Sequence, residues 1–317
     1  MNKSFRRCLV IGGCGFLGSY VAESLLEAGY QVRIFDRVNV DTANIDAFSR
    51  HLEIFYGDLS SRADDEKALE GIDYVFHFAG STDPKRASED PVFDVETNVI
   101  GTLNLLMALS KENCKKLIFS SSGGTVYGIP SKLPISEDHS TIPICAYGVS
   151  KVTVEKYIYL YHYLLGFNYI ILRLANPYGP RQNLHNAQGA IVHFLNAINQ
   201  GKKIQIWGDG SVVRDYFFSG DLKSLIPLLL REEITNSTLN IGKGRGYSLN
   251  EILAVIKHLI RKDIDVEYLP GRMIDIPVNY LNVKKVYSET GWSAATELYD
   301  GILKTWHWIQ DSNKSNH

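Results

Sequence analysis

A tyrosine and a lysine stand four residues apart in Ala146-Tyr147-Gly148-Val149-Ser150-Lys151. In a helix, positions i and i+4 share a face, so the Lys151 ammonium can sit near the Tyr147 phenol. A nearby cation favours the phenolate, and the tyrosine pKa is expected to fall from about 10 toward neutrality. A phenol tuned in this way takes a proton from an alcohol being oxidised or gives one to a ketone being reduced. Two exposed residues one turn apart would show the same spacing. The pair therefore gains meaning only if the rest of the chain supplies a hydride carrier and a bound alcohol.

The elements that would position the pair begin at the amino end. Cys8-Leu9-Val10-Ile11 is a buried-strand pattern, followed by Gly12-Gly13-Cys14-Gly15-Phe16-Leu17-Gly18 and a helical pattern that Gly29 ends. Strand, glycine turn and helix form a dinucleotide-binding start. Gly12 allows the tight turn, Gly15 lets a pyrophosphate approach the helix N-terminus, and Gly18 lets helix and strand pack closely. The next strand, Val32–Phe35, ends at Asp36, 18 residues after Gly18. A carboxylate there accepts hydrogen bonds from ribose hydroxyls and repels a 2′-phosphate, which favours NAD. Arg37 beside it keeps NADP open, because a guanidinium can hold that phosphate.

Further strands are expected at Leu52–Tyr56, Tyr74–Phe78, Lys116–Ser120 and Tyr169–Leu174. Their carboxyl ends, Gly57-Asp58-Leu59 and Ala79-Gly80 among them, are where an open α/β sheet holds its ligand. Asp58 suits an adenine amino group or, equally, a turn or helix cap. Pro91 to Ser110 reads as a long helix with Asn98 its conspicuous polar residue. The fifth strand opens into Ser121-Ser122-Gly123-Gly124-Thr125-Val126-Tyr127-Gly128, small residues suited to a backbone that passes close to a ligand. The helix carrying Tyr147 continues through Tyr157, Tyr159, Tyr161 and Tyr163, a stripe that reads as core or subunit interface. Strand and helix alternate up to Asn176-Pro177-Tyr178-Gly179-Pro180-Arg181, which implies a doubly wound parallel sheet. Beyond residue 180 the elements shorten. Arg181, Arg214 and Arg272 lie in turn-rich stretches and are candidates to grip a diphosphate, although Arg214-Asp215 also reads as an ion pair.

With 317 residues, 45% of them hydrophobic, and net charge −2, the chain can bury a large core and has no general attraction for nucleic acid or membranes. The scattered cysteines Cys8, Cys14, Cys114 and Cys145 read as reduced thiols of a cytoplasmic protein. No signal peptide is legible, and no uninterrupted apolar run approaches the roughly 20 residues that span a bilayer. The nine histidines form no ligand pattern, so no metal is expected. The expected organisation is a Rossmann-type NAD(P)-binding domain over 1–180 and a smaller α/β substrate region over 181–310, some segments of which return to the first lobe. A frayed tail, 311–317, would follow.

Taken together, GGCGFLG, Asp36, Gly57-Asp58-Leu59, SSGGTVYG, Tyr147/Lys151, NPYGPRQ and GDGSVVRDY resemble the extended short-chain dehydrogenase/reductases. More narrowly they resemble the nucleotide-sugar branch related to UDP-glucose 4-epimerase, over residues 7 to 308. The resemblance implies that Gly12, Gly15, Phe16, Leu17 and Gly18 carry the pyrophosphate, Asp36 the ribose, and Asp58 and Leu59 the adenine. It further implies that Phe78, Ala79, Gly80, Asn98 and Ser121 line the cofactor, with Pro177 near the nicotinamide. Tyr147 would be the acid/base and Lys151 its partner, while Asn176, Arg214 and Arg272 would bind the nucleotide diphosphate. It also implies a homodimer in which the helices over about 90–112 and 145–165 form an antiparallel four-helix contact.

The sequence departs from that pattern at three places. The family's Ser or Thr, four residues before the V-Y-G tyrosine, falls on Gly123; the nearby hydroxyls are Thr125, the first choice, and Ser122. The acidic pair that 4,6-dehydratases carry just after it is Gly124-Thr125, so the acid and base for elimination are missing. A position that holds a bulky tyrosine in some relatives matches Asn279, leaving room for an acetamido group at C2. The expected function is C4 epimerisation of a UDP-sugar with NAD regenerated in place. The alternative is a 4-ketoreductase of a dTDP-linked or other NDP-4-keto-6-deoxyhexose that consumes NAD(P)H. A third reading, a non-catalytic NAD-binding regulator, conflicts with the intact Tyr147/Lys151 pair.

Overall fold

The computed structural model describes residues 6–80, 84–112, 114–184, 189–261, 264–271 and 276–314. Thirteen strands appear among them: β1 Arg7–Ile11, β2 Gln31–Asp36, β3 Leu52–Tyr56, β4 Tyr74–His77, β5 Lys116–Ser122, β6 Asn168–Leu174, β7 Asn176–Tyr178, β8 Ile204–Trp207, β9 Val213–Phe218, β10 Ser237–Ile241, β11 Gly246–Ser248, β12 Val266–Leu269 and β13 Val278–Asn279. The helices are α1 Phe16–Glu27, α2 Arg62–Leu69, α3 Pro84–Glu89, α4 Pro91–Asp94, α5 Gly101–Leu109, α6 Ala146–Leu165, α7 Ala190–Asn199, α8 Leu222–Leu225, α9 Leu249–Ile260, α10 Lys284–Thr290 and α11 Leu298–Lys314. All six strands expected before residue 180 are present within a residue or two of their expected ends.

Seven strands form one sheet in the order β10-β6-β5-β4-β1-β2-β3, and every pairing is parallel. A wholly parallel sheet needs cover on both faces, which is why its strands are near-continuous apolar runs. Alternate side chains feed two cores. Cys8, Val10, Phe76, Ile118 and Ile170 pack on one face, and Leu9, Ile11, Val75, Leu117 and Ile171 on the other. Burying one such side chain stabilises by about 1.5–3 kcal/mol. The edge strand β10 comes from beyond residue 180, so the first sheet is completed by the later part of the chain. A second sheet, β11-β9-β13 with β7 on β9, and the pair β12-β8 form the smaller region over a third core that includes Ile191, Leu195, Ile206, Ile252 and Ile302.

Two expectations change. The tail expected to fray at 311 is helical to Lys314, because α11 continues past Trp306 and Ile309, both buried in the third core; residues 315–317 lie outside the described residues. The expected helix from Pro91 is α4 and α5 joined by a π-helical turn over Val95–Ile100. The stretch Pro91–Leu109 is long and apolar enough to cross a membrane by length and composition alone. Here it packs against α2 and α6.

Candidate active site

The sheet order reverses beside β1, whose neighbours are β2 and β4, and the glycine turn sits at that point. Gly12 takes φ +77°, and a Cβ there would stand 2.7 Å from Ala79 Cα. A Cβ on Gly18 would stand 2.1 Å from the Gly12 carbonyl oxygen. The turn is thus a bare backbone cradle closed onto β4 and opening onto the N-terminus of α1, where Gly15 is the capping residue. That shape and the unpaired helix N–H groups fit a dinucleotide pyrophosphate. Phe16 and Leu17 form the first turn of α1. Asp36 is fixed beside the cradle: Cys14 N–H donates to its Oδ2 at 3.0 Å and Arg37 N–H to its Oδ1 at 2.9 Å. Two carboxylate oxygens retain acceptor capacity for ribose hydroxyls after those bonds. Arg37 is exposed and gives no ion pair among the described residues. Asp58 is exposed and makes a turn, with Ser60 N–H donating to its Oδ1 at 2.8 Å; this is the turn reading of that residue. Leu59 packs under Gly101, and Phe78 is tied by its N–H to Ile11 O at 2.9 Å. Gly80 is exposed at the mouth.

Helix α6 begins at the carboxyl end of β5 because Gly148 lets it come close. A Cβ on Gly148 would meet Thr125 O and Pro143 Cβ, each at 2.8 Å. Lys151 is buried, 4% exposed, and its ammonium donates to Ser120 O at 2.9 Å. Its Nζ stands 5.6 Å from the Tyr147 ring centre and 4.8 Å from that of Phe119. Tyr147 itself is half-buried. Burial pulls the Lys151 pKa down from its ordinary value to about 8, while the charges of Asp94 and Glu155 act against that fall. The groups facing Lys151 are Tyr147 and Glu155 from its own helix, Asp94 from α4, Ser120 from β5 and His77 from β4. His77 is held neutral, pushed down to about 3 by burial and by the Lys151 charge. Asp94 is fully buried and accepts from Ser150 Oγ at 2.5 Å and from Asn98 Nδ2 at 2.8 Å. Asn98 is therefore anchored by Asp94 in the π-helical turn. Because an ammonium is needed to hold a phenolate, turnover should fall above about pH 8, where Lys151 loses its proton. A kcat/KM profile flat to pH 10 would contradict this role.

The hydroxyl expected opposite Tyr147 has a structural explanation for its absence from Gly123. A Cβ there would lie 2.6 Å from Leu281 Cδ1 and 3.0 Å from Arg173 O, so a serine would have to displace the buried Leu281 side chain and crowd that carbonyl. Of the two neighbours, Thr125 has its Oγ1 enclosed and without a hydrogen-bond partner among the described residues, whereas Ser122 is partly exposed at the last position of β5. The Ser121 hydroxyl donates to Glu155 Oε1 at 2.5 Å. Glu155 in turn makes a buried pair with Arg173, at 2.7 and 3.1 Å.

On the side of the second sheet, Asn279 is 2% exposed and reaches Gly123 O and Gly124 O only at 3.5 and 3.4 Å. It stands in register with Arg214 on β9, so these two candidates meet beside the end of β5. Arg214 is braced by the carbonyls of Val213 and Ile276, at 2.9 and 2.6 Å. Asp215 is not its ion partner: it is buried and accepts the N–H groups of Lys243, Gly244 and Leu281. Asn176 donates to Asp215 O at 3.1 Å, and Pro177 pairs with Phe217 on β9. Arg181 does not join this group. Its guanidinium is committed to Glu23 on α1 at 2.8 Å and stacks on Tyr20. Arg272 lies outside the described residues.

Sequence reasoning missed Gly13, Asp94, Glu155, Arg173 and Asn44. A Cβ on Gly13 would strike Ile34 at 2.7 Å, a contact the doubled glycine could have signalled. Glu155 stands one turn beyond Lys151, and Asp94 one turn before Asn98, so helical spacing alone pointed to both. Nothing in the sequence marks Asn44 or Arg173.

The profile of the NAD dependent epimerase/dehydratase family matches residues 8–242. A UDP-glucose 4-epimerase of Mycolicibacterium smegmatis is 31% identical over 97% of this chain and 100% of its own. A dTDP-4-dehydro-6-deoxyglucose reductase of Escherichia coli is 30% identical over 93% of this chain and 95% of its own. Among solved structures, the UDP-glucose 4-epimerase of Thermotoga maritima with UDP-glucose superposes with a TM-score of 0.92 at 32% identity, covering 97% of this chain and 99% of that one.

Proposed function

The chain belongs to the NAD dependent epimerase/dehydratase family, and on that premise we propose that it is a UDP-sugar 4-epimerase that keeps its NAD. The observation that carries this reading is the buried Lys151 ammonium, 5.6 Å from the Tyr147 ring centre, beside a glycine cradle shaped for a dinucleotide. The cradle residues Gly12, Gly15, Phe16, Leu17 and Gly18 would hold the pyrophosphate. Asp36 would hold the ribose, Asp58 and Leu59 would border the adenine, and Phe78, Ala79, Gly80, Asn98 and Pro177 would border the rest. When bound, NAD supplies hydride acceptance and return at its nicotinamide. The chain supplies the proton chemistry. Tyr147 takes the proton of the C4 hydroxyl, with Lys151 offsetting the charge of the phenolate, and returns it once the 4-keto sugar presents its other face. Ser122, the more accessible of the two hydroxyls, donates a hydrogen bond to the same oxygen. Asn176, Arg214 and Arg272 grip the diphosphate, and the small Asn279 admits glucose or an N-acetylated sugar. Gly124 and Thr125, where an acidic pair would stand, carry no carboxyl group to act as acid and base in elimination, which argues against dehydration.

The test is incubation of purified protein with UDP-glucose and UDP-N-acetylglucosamine, without added reductant. Appearance of the C4 epimers supports the reading; no conversion of either, or of the uronate, would sink it. The reductase reading, which the E. coli relative favours, uses the same Tyr147 and Lys151 and predicts one NAD(P)H consumed per keto sugar.

The same reading makes the enzyme a cytoplasmic homodimer. The four cysteines are unpaired, as in a reducing compartment. Val92, Val95 and Ile100 before and within α5's approach, and Val149, Tyr159, Tyr163 and Leu164 on α6, expose apolar surface that a second copy would cover. Light scattering is expected to give twice the 35.6 kDa chain mass; a monomer at working concentration would refute the contact.

A further inference from the structure

The chain leaves the first lobe after Tyr178 by crossing α1, and several contacts fasten it there. Tyr20 donates its hydroxyl to Pro180 O at 3.1 Å. Arg181 pairs with Glu23 at 2.8 Å, and the other Glu23 oxygen is 3.2 Å from Lys223. The guanidinium lies 4.4 Å from the Tyr20 ring centre and 5.7 Å from that of Phe48. Its remaining amino group, Nη1, is enclosed without a hydrogen-bond partner among the described residues. Arg181 takes φ +70°, a left-handed conformation that persists in a non-glycine residue only where its surroundings impose it.

Asn44, in the loop after β2, connects this crossing to the cradle. Its Nδ2 donates to Cys14 O at 3.2 Å and to Arg181 O at 3.3 Å. Cys14 lies inside the glycine turn, and its N–H is held by Asp36 on the other side. The turn that would carry the pyrophosphate is therefore clamped between Asp36, at the end of β2, and the segment that leads into the second lobe. Any movement of the turn away from the crossing segment would part Asn44 from one of its two carbonyls, while the Glu23–Arg181 pair ties that segment to α1.

We propose that Asn44 and Arg181 form a latch that holds the glycine turn closed and slows the exchange of NAD. The inference rests on the epimerase reading, in which one cofactor must stay through both halves of the reaction. A reductase, by contrast, must exchange it at every turnover. Asn44 and Arg181 are positioning residues in this account: they act through the turn and not on the sugar.

The experiment measures release of NAD from the loaded, full-length protein, and of a fluorescent etheno-NAD probe exchanged into it, by stopped dilution and by nucleotide content after gel filtration. Asn44→Ala and Arg181→Ala should each raise the release rate at least tenfold, and Glu23→Gln should raise it by a smaller factor. Release rates within twofold of the parent for both alanine variants would overturn the latch. So would an Arg181→Ala protein that keeps its NAD but loses UDP binding in calorimetry, which would return Arg181 to the substrate side. Should Arg181→Ala fail to fold, Asn44→Ala, at a half-exposed loop position, decides the matter alone. Nucleotide release is read without turnover. A protein that shows the latch but epimerises nothing would therefore count against the proposed function and leave this inference standing.

Discussion

Replacing Tyr147 with Phe is expected to lower kcat by about 10²–10⁴-fold, the usual worth of a positioned proton-transfer group, with bound NAD and melting temperature unchanged. The substitution removes one oxygen and keeps the ring that Lys151 approaches. Lys151 remains bonded to Ser120 O and offset by Asp94 and Glu155. The loss should fall on kcat more than on KM, because the phenol acts on the proton that moves and not on the diphosphate that anchors the sugar. A variant within threefold of the parent rate would remove Tyr147 from the acid/base role.

Glu155→Gln is expected to cost about 3–5 kcal/mol of stability, the range for breaking a buried ion pair on one side only. Glu155 and Arg173 have side chains 4% and 7% exposed, and the pair is bidentate. Arg173 also donates to the Tyr127 hydroxyl at 3.1 Å, and Tyr127 donates to Asn240 on β10 at 2.6 Å. The network therefore joins the catalytic helix, two central strands and the strand contributed from beyond residue 180. Removing the carboxylate strands a guanidinium whose proton burial cannot take away. The paired substitution Glu155→Gln with Arg173→Met should recover most of the loss, since no charge is then left without a partner. Urea unfolding of the parent and of these two variants measures this. A loss below about 1 kcal/mol for Glu155→Gln would mean that water reaches the pair and that the site is softer than its burial indicates.

How far the sequence reveals the molecule depends on whether a feature is local. β1, the glycine turn and α1 were legible because an apolar run, a cluster of glycines and a helical period follow one another directly. Tyr147 and Lys151 were legible because one helical turn joins them. The stripe of tyrosines after them divides as helical geometry requires: Tyr157 and Tyr161 pack against the core, while Tyr159 and Tyr163 stay exposed. What was not legible depends on distant partners. Nothing near Ser237–Ile241 says that this strand joins β6 in the first sheet. Arg181 lies in a turn-rich stretch, which suggested the diphosphate, yet with its left-handed backbone its guanidinium pairs with Glu23 on α1. The missing serine at Gly123 reads in the sequence as a departure from the motif; in the fold, Leu281 and Arg173 O crowd the space a side chain would take there. Buried charges such as Asp94 and Glu155 are hidden from hydrophobic patterning, because each reads as an ordinary surface residue of a helix.

In the proposed reaction one sugar carbon gives up its hydrogen and takes the same hydrogen back on the other face. A UDP-glucose carrying deuterium at C4 tests it directly, with the protein's own NAD as the sole nicotinamide present. Both C4 epimers are expected to form, with the deuterium kept at C4 in each. Deuterium lost to solvent, or product formed only when NAD(P)H is added, would contradict it.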